Sequence, residues 1–276
     1  MRGGDVTKAV VLARGLGRRM RGASRSEITT QLAPEQSRAA EAGLKAMIPV
    51  GVGRPFLDFA LSALADAGYR EMCLVIGPEH EVVREYYGSI AMRRIRVSFA
   101  IQDEALGTAN AVLAAETFVG GEPFLVLNGD NYYPASVFAR MRSLGEPGLP
   151  AFEREALVRE GNIPAERILR YAILKIDAQG YLEEILEKPK EIDADRAEVY
   201  VSMNCWRFDA GIFRACREVP ASARGEFELP EAVQHGMKTL GMRFRAVPVH
   251  AGVLDLSYRS DIGEVTKRLA GMRVEL

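Results

Sequence analysis

Four short apolar runs, at 8–13, 72–76, 97–101 and 124–127, punctuate the first half of this chain. They are separated and followed by stretches with a different rhythm. Within 56–67, Phe56, Phe59, Ala60, Ala63, Leu64 and Ala67 recur every three to four residues, the spacing of a helix face. Similar segments lie at 79–87, 109–115 and 135–144. Repeated strand–helix–strand order predicts an α/β fold with a mostly parallel sheet covered by helices on both faces. Such sheets bind ligands beyond the carboxyl ends of their strands.

The second half reads differently. Residues 145–170 are rich in Gly, Pro and charge and predict a long excursion. Two alternating runs, 171–176 and 181–186, flank Asp177-Ala178-Gln179-Gly180 and predict a hairpin. Residues 199–208 predict one further strand, and 210–218, 229–237 and 261–269 predict helices. No clean linker interrupts the 276 residues, so a single domain over 1–276 is expected.

Composition narrows the function. The 36 Lys+Arg nearly cancel 37 Asp+Glu, which argues against the broad basic surface of a nucleic-acid binder. No apolar run approaches the roughly 18–20 residues of a membrane span. The apolar stretch 9–13 is short for a signal-peptide core, so a cytoplasmic protein without membrane partners is expected. Cys73, Cys205 and Cys216 form no Cys-x-x-Cys pair, and His80, His235 and His250 are scattered. Disulfide frameworks and His/Cys transition-metal sites are therefore not expected.

Charge clusters in one place. Residues 14–25 hold Arg14, Arg18, Arg19, Arg21 and Arg25 and no acid, beside Gly15 and Gly17. Glycines at a strand's end let backbone N–H groups approach phosphate, and arginines add forked donors. The dinucleotide pattern Gly-x-Gly-x-x-Gly fails, because Met20 occupies the third glycine position. The P-loop pattern fails too, since no Gly-Lys-Ser/Thr follows.

The loop from Leu12 to Met20 resembles the signature loop of the sugar-1-phosphate nucleotidylyltransferases. Further segments match that family in the same order: Lys45-Ala46-Met47-Ile48-Pro49-Val50, Pro55-Phe56-Leu57, Gln102 to Ala109, Asn128-Gly129-Asp130-Asn131, Glu187-Lys188-Pro189 and Val253-Leu254-Asp255. The resemblance spans about 8–265. It implies a three-layer α/β/α Rossmann-like nucleotidyltransferase fold, with a mixed, mostly parallel sheet and a sugar-binding insertion. Residues 8–135 would form the nucleotide-binding half and 136–265 the sugar-phosphate-binding half. The implied reaction is Mg²⁺-dependent transfer of a nucleotidyl group from a nucleoside triphosphate to a sugar 1-phosphate, with release of pyrophosphate. The segment Gln-x-x-x-Leu-Gly-Thr-Ala is most similar to uridylyl and thymidylyl enzymes, implying UTP or dTTP. Homo-oligomers are frequent in the family.

The resemblance assigns Arg19, Lys45 and Asp130 to catalysis. It assigns Leu12, Ala13, Gly15, Gly17, Arg19, Gln102, Gly107 and Thr108 to the nucleotide. Tyr171, Ala172, Glu187, Lys188, Ser202 and Asn204 would meet the sugar phosphate. Asp130 and Asp255 would hold the metal, with Asp261 as the alternative second acid. Several residues depart from the family pattern. Arg14 stands at a usually small position, and Arg18 replaces Thr or Ser. Ala172 replaces Gly, while Ser202 and Asn204 replace Asn and Gly. Leu256-Ser257-Tyr258-Arg259 follows Asp255 in place of x-Gly-Thr. The polar stretch 24–43 is longer than in most members and reads as a lid or an inert loop. These changes leave open a non-sugar acceptor, such as choline or polyol phosphate, and a non-catalytic nucleotide-binding homologue.

Overall fold

The computed structural model describes residues 5–15, 17–21, 32–191 and 198–276, the side chain of Arg18 excepted. Its strands, in chain order, are β1 (Lys8–Leu12), β2 (Pro49–Val50), β3 (Arg54–Pro55), β4 (Glu71–Ile76), β5 (Arg96–Ile101), β6 (Phe124–Asn128), β7 (Asn131–Tyr132), β8 (Gly148–Glu153), β9 (Ala172–Ile176), β10 (Leu182–Leu186), β11 (Tyr200–Ser202), β12 (Cys205–Phe208), β13 (Arg245–Val249) and β14 (Leu254–Asp255). The central sheet runs β10-β9-β11-β8-β12-β6-β1-β4-β5, with β13 beside β8. Among the described strands of this sheet, β1, β4, β5, β6, β8, β9 and β13 run one way and β10, β11 and β12 the other. The sheet is thus mixed and mostly parallel.

The alternation of buried residues explains the layering. Along β4, Met72, Leu74 and Ile76 join one buried cluster, and Cys73 and Val75 join another. The first cluster includes Leu57, Leu61 and Leu64 of the helix Phe56–Asp66. The second includes Val112, Phe213 and Val233 of the helices Thr108–Ala114, Ile212–Glu218 and Leu229–Leu240. A sheet that buries both faces needs apolar residues at every position, which is why these strands read as continuous apolar runs. A third cluster packs Met20, Ile48 and Phe56 against Ile262, Val265 and Leu269 of the last helix, Asp261–Leu269.

Parallel register brings four strand ends to one edge. Leu12 pairs with Val75 and with Asn128, and Ile76 pairs with Ile101. The segments leaving this edge are stitched together by backbone bonds: Ala13 N to Val75 O at 2.9 Å, Gln102 N to Ile76 O at 2.9 Å and Gly129 N to Leu12 O at 2.9 Å. The second half joins through β12, which lies antiparallel to β6 with Cys205 opposite Leu127.

Three expectations are corrected. The stretch 145–170 is no simple excursion: it contains β8 in the middle of the sheet, a helix at Arg154–Glu160 and a 3₁₀ helix at Ala165–Arg170. Gly148 and Pro150 disguise β8, yet Pro150 is accommodated opposite Val247 of β13. The strand expected over 199–208 is two strands, because Asn204 adopts φ +56° and breaks the run after Ser202. The polar stretch 24–43 contains the helix Pro34–Ala42, closed by Gly43 in the left-handed conformation. Its residues 24–31 lie outside the described residues, as does Arg25. The hairpin β9–β10 forms where expected. Asp177 Oδ1 accepts from the N–H groups of Gln179 (2.8 Å) and Tyr181 (2.9 Å), and Gly180 takes φ +81°.

Candidate active site

A cavity of about 430 Å³ opens at the carboxyl edge of β1, β5 and β6, a size suited to a nucleotide. Of the residues assigned from sequence, Leu12, Ala13, Gly15, Gly17, Arg19, Lys45, Gln102, Gly107, Thr108, Asp130 and Lys188 line it. Asp255, Tyr171, Ala172, Glu187, Ser202 and Asn204 are not part of its wall. Arg14, Arg224, Glu226 and Glu228 line it as well.

The glycine loop is held by contact with its neighbour in space. Gly17 has φ +57°, and a Cβ there would lie 2.6 Å from Cα of Gly43. This packing sets the loop against the segment that carries Lys45. The short helix Arg18–Arg21 then places Arg19 at the cavity wall.

Lys45 Nζ donates to Asp130 Oδ2 at 2.9 Å. Burial disfavours the lysine's charge, but the Asp130 carboxylate outweighs it, and the lysine's pKa is raised. Asp130 follows β6, and the next residue, Asn131, pairs with Asp255 across the two-stranded β7–β14 ribbon. Leu256 N donates to Asp130 O at 2.9 Å, so the two aspartates are backbone neighbours. Asp255 is buried, and its carboxyl is pushed up to about 6, first by burial and then by Asp130. Its Oδ2 accepts from Arg167 (2.8 Å) and Tyr171 (3.0 Å), and its Oδ1 from Asn131 (3.3 Å).

Two close carboxylates, one of them desolvated, fit a hard divalent cation with oxygen ligands. No group of three or more His, Cys, Asp or Glu ligands occurs among the described residues. Mg²⁺ needs only one or two carboxylates, so the pair suits it. Asp261 faces Asp255 across their shared partner Arg167. It accepts from Arg167 at 2.6 Å and from the N–H groups of Ser257 (3.0 Å) and Tyr258 (2.7 Å).

The far end of the cavity is organised by Gln102 and Arg14. Both N–H groups of the Gln102 amide are engaged: Nε2 donates to Gly107 O at 3.0 Å and Asn110 Oδ1 at 2.8 Å. The amide oxygen has no hydrogen-bond partner among the described residues. Gly107 takes φ +104°, and a Cβ there would lie 2.5 Å from the Phe227 carbonyl oxygen, so only glycine fits. Arg14 has a structural role. It donates to the Gln102 carbonyl and to both Glu79 carboxylate oxygens (3.2 and 3.3 Å), tying together the segments after β1, β4 and β5. The Thr108 hydroxyl faces inward on protein, donating to Glu228 at 3.1 Å and accepting from Leu229 N at 2.8 Å.

Lys188 reaches the wall from the second half with φ +45°. A side-chain-bearing residue in that region costs about 1–3 kcal/mol, and such strain clusters at ligand sites. Glu187 beside it has a raised pKa, chiefly from burial, with Lys188 opposing and Glu228 and Glu231 adding. Ala172 and Ser202 are cross-strand neighbours on β9 and β11, and both are buried. Arg167, which joins Asp255 to Asp261, carries no motif in the sequence and was not anticipated. Arg224 and Glu228 form an ion pair at 2.6 Å just ahead of the helix Leu229–Leu240.

The chain matches the nucleotidyl transferase family model over residues 8–269. It is 29% identical over 262 residues to a UTP–glucose-1-phosphate uridylyltransferase of Haloferax volcanii, covering 95% of this chain and 96% of that protein. It is also 29% identical over 236 residues to a glucose-1-phosphate thymidylyltransferase of Streptomyces antibioticus, covering 83% of this chain but only 56% of that longer protein. The fold is similar to a UDP-glucose pyrophosphorylase crystallised with UDP-glucose, with a TM-score of 0.72, 19% identity and coverage of 95% and 98%. The family match over nearly the whole chain, together with the ordered motifs at the cavity, identifies this protein as a member of the nucleotidyl transferase family, in its sugar-1-phosphate nucleotidylyltransferase branch.

Proposed function

We propose that the enzyme transfers a uridylyl or thymidylyl group from UTP or dTTP to a sugar 1-phosphate. The observation that carries this reading is the Lys45–Asp130 pair at 2.9 Å, set in a cavity walled by the glycine loop on one side and Lys188 on the other. The sugar phosphate oxygen attacks the α-phosphorus, the bond from that phosphorus to the bridging oxygen breaks, and pyrophosphate leaves with the electron pair. Catalysis of such a transfer rests on positioning and charge stabilisation.

Residues 8–135 hold the nucleotide in this reading and 136–265 the sugar phosphate. Gly15 and Gly17 bring backbone to the phosphates, and Arg19 grips them through its forked donors. Lys45 neutralises charge that builds at the α-phosphate. Asp130 and Asp255 would hold Mg²⁺, which when bound supplies further neutralisation of the phosphate oxygens. The Gln102 amide oxygen accepts from the N3–H edge that uracil and thymine share, while Leu12, Ala13, Gly107 and the half-buried Thr108 shape the slot around it. Lys188 holds the sugar phosphate. Tyr171, Ala172, Glu187, Ser202 and Asn204 border the sugar beyond the cavity wall, where the departures at 172, 202 and 204 favour a sugar other than the family's usual one.

The test is pyrophosphate release from UTP, dTTP, CTP, GTP and ATP, each with a panel of sugar 1-phosphates and with choline and polyol phosphates. The expected result is turnover with UTP or dTTP and a sugar 1-phosphate. Turnover only with a non-sugar phosphate, or none with any pair, would overturn the reading.

A further inference from the structure

Tyr258 stands three residues past Asp255, and three guanidinium groups gather on its ring. Arg167 lies 4.7 Å from the ring centroid, Arg19 5.7 Å and Arg170 5.8 Å. Arg170 also donates to the Tyr258 hydroxyl. The ring is firmly placed. Tyr258 N donates to Asp261, and the buried Arg259 next to it donates from Nε to Met20 O at 2.8 Å. The segment that carries Tyr258 is therefore clamped onto the helix that carries Arg19.

Cations gathered around one aromatic ring are attracted by the ring and repelled by one another. The nearby carboxylates do not resolve the repulsion for all three. Asp255 and Asp261 both hold Arg167, at 2.8 and 2.6 Å, and Asp130 holds Lys45. Arg19 and Arg170 make no ion pair among the described residues. Arg19 already lines the cavity beside Lys45 and Asp130. Arg170 is exposed and approaches the same ring from the end of the 3₁₀ helix Ala165–Arg170, in the other half of the chain.

We propose that Arg170, gathered with Arg19 on the Tyr258 ring, binds the pyrophosphate end of the nucleotide and the pyrophosphate that leaves, with Tyr258 as the residue that positions both. The inference rests on the nucleotidyl-transfer reading. When the α-phosphorus–oxygen bond breaks, the leaving oxygen keeps the electron pair and the pyrophosphate gains negative charge. Two guanidinium forks without carboxylate partners among the described residues supply paired donors for that charge. An anion between them also removes their mutual repulsion, so each arginine strengthens the other's contact.

The probe is inorganic pyrophosphate, whose binding depends on neither base nor sugar. Its affinity for the full chain is measured by titration calorimetry with Mg²⁺, and its KM and kcat in the reverse reaction are measured alongside. Arg170→Ala is expected to weaken pyrophosphate binding about tenfold, the loss of an exposed charge-assisted contact, with the KM for NDP-sugar within about twofold. Tyr258→Leu should reproduce the loss, whereas Tyr258→Phe, which keeps the ring face, should stay within about threefold of the parent. Unchanged pyrophosphate affinity in Arg170→Ala, or equal losses in Tyr258→Leu and Tyr258→Phe, would overturn the proposal. A parent chain that binds no pyrophosphate and releases none from any nucleotide would instead refute the transfer reading beneath it.

Discussion

Replacing Lys45 with Met removes a charge while keeping most of the side chain's length. In the structure Lys45 has 14% side-chain exposure and Asp130 27%, so their pair is partly shielded from solvent. Two unit charges about 4 Å apart at an effective dielectric near 20 interact by about 4 kcal/mol. The α-phosphate gains only part of a charge in the transition state, so about half to three-quarters of that figure bears on the rate. At about 1.36 kcal/mol per tenfold, the expected loss in kcat is about 30- to 160-fold. Ground-state binding of the nucleotide also rests on the glycine loop and Arg19, so its KM should change by less than about tenfold. Lys45→Arg keeps the charge but changes its shape, and should recover part of the loss. The assay is initial-rate pyrophosphate release with saturating UTP or dTTP, Mg²⁺ and the preferred acceptor. Thermal unfolding run in parallel should shift by only a few degrees, because Asp130 keeps access to water. A Lys45→Met enzyme with kcat within about fivefold of the parent would refute the assignment of this lysine to charge stabilisation.

Other perturbations follow from particular contacts. Gly107→Ala would force a Cβ against the Phe227 backbone, and should raise the nucleotide KM by at least about tenfold in steady-state kinetics. Gln102→Ala removes the base-facing oxygen and the bonds to Gly107 and Asn110, so the ratio of kcat/KM for UTP over CTP should fall; an unchanged ratio would remove Gln102 from base selection. Asp58 is fully buried and accepts from Tyr86 (2.7 Å), Tyr87 (2.8 Å) and Arg54 (3.2 Å), so Asp58→Ala should cost about 3–5 kcal/mol in urea unfolding without touching the cavity. Burial lowers the pKa of His80, Glu79 opposes this, and Arg14 and Arg84 reinforce it. The folded state then binds fewer protons than the unfolded chain, so this contribution is present above about pH 6.5 and is lost as pH falls. His80→Gln should flatten that acid-side loss between about pH 7.5 and 5.5, and the hydrogen-bonded, raised His250 works in the opposite direction.

The two kinds of structure in this chain differed in how far the sequence disclosed them. The strands β1, β4 and β6 were legible because both of their faces are buried, which leaves near-continuous apolar runs, whereas β5 lies at the sheet edge, only partly buried, with Ser98 inside its run. β8 and β13 were hidden because Gly148, Pro150 and Pro248 lower strand propensity, and only their pairing with each other and with β12 and β11 makes them strands. At the site, motif residues such as Lys45, Gln102 and Asp130 converge on one cavity. Arg167 and Tyr258 could not be found this way, since each acts through partners about 90 residues distant in the chain. Arg14 was visible as a departure, but its purpose depends on Glu79 and the Gln102 carbonyl, which only the fold brings near.

The β7–β14 ribbon sets Asn131 beside Asp255 although 124 positions separate them. A contact of that range forms only after a large loop has closed, and such closures come late and slowly in folding. A refolding chain should therefore regain its helices and the shorter-range β1–β4–β5 pairings before its two aspartates meet. Turnover becomes a clock for the final step of folding, and its lag behind the far-ultraviolet signal measures how long the molecule exists as a partial scaffold without a working centre.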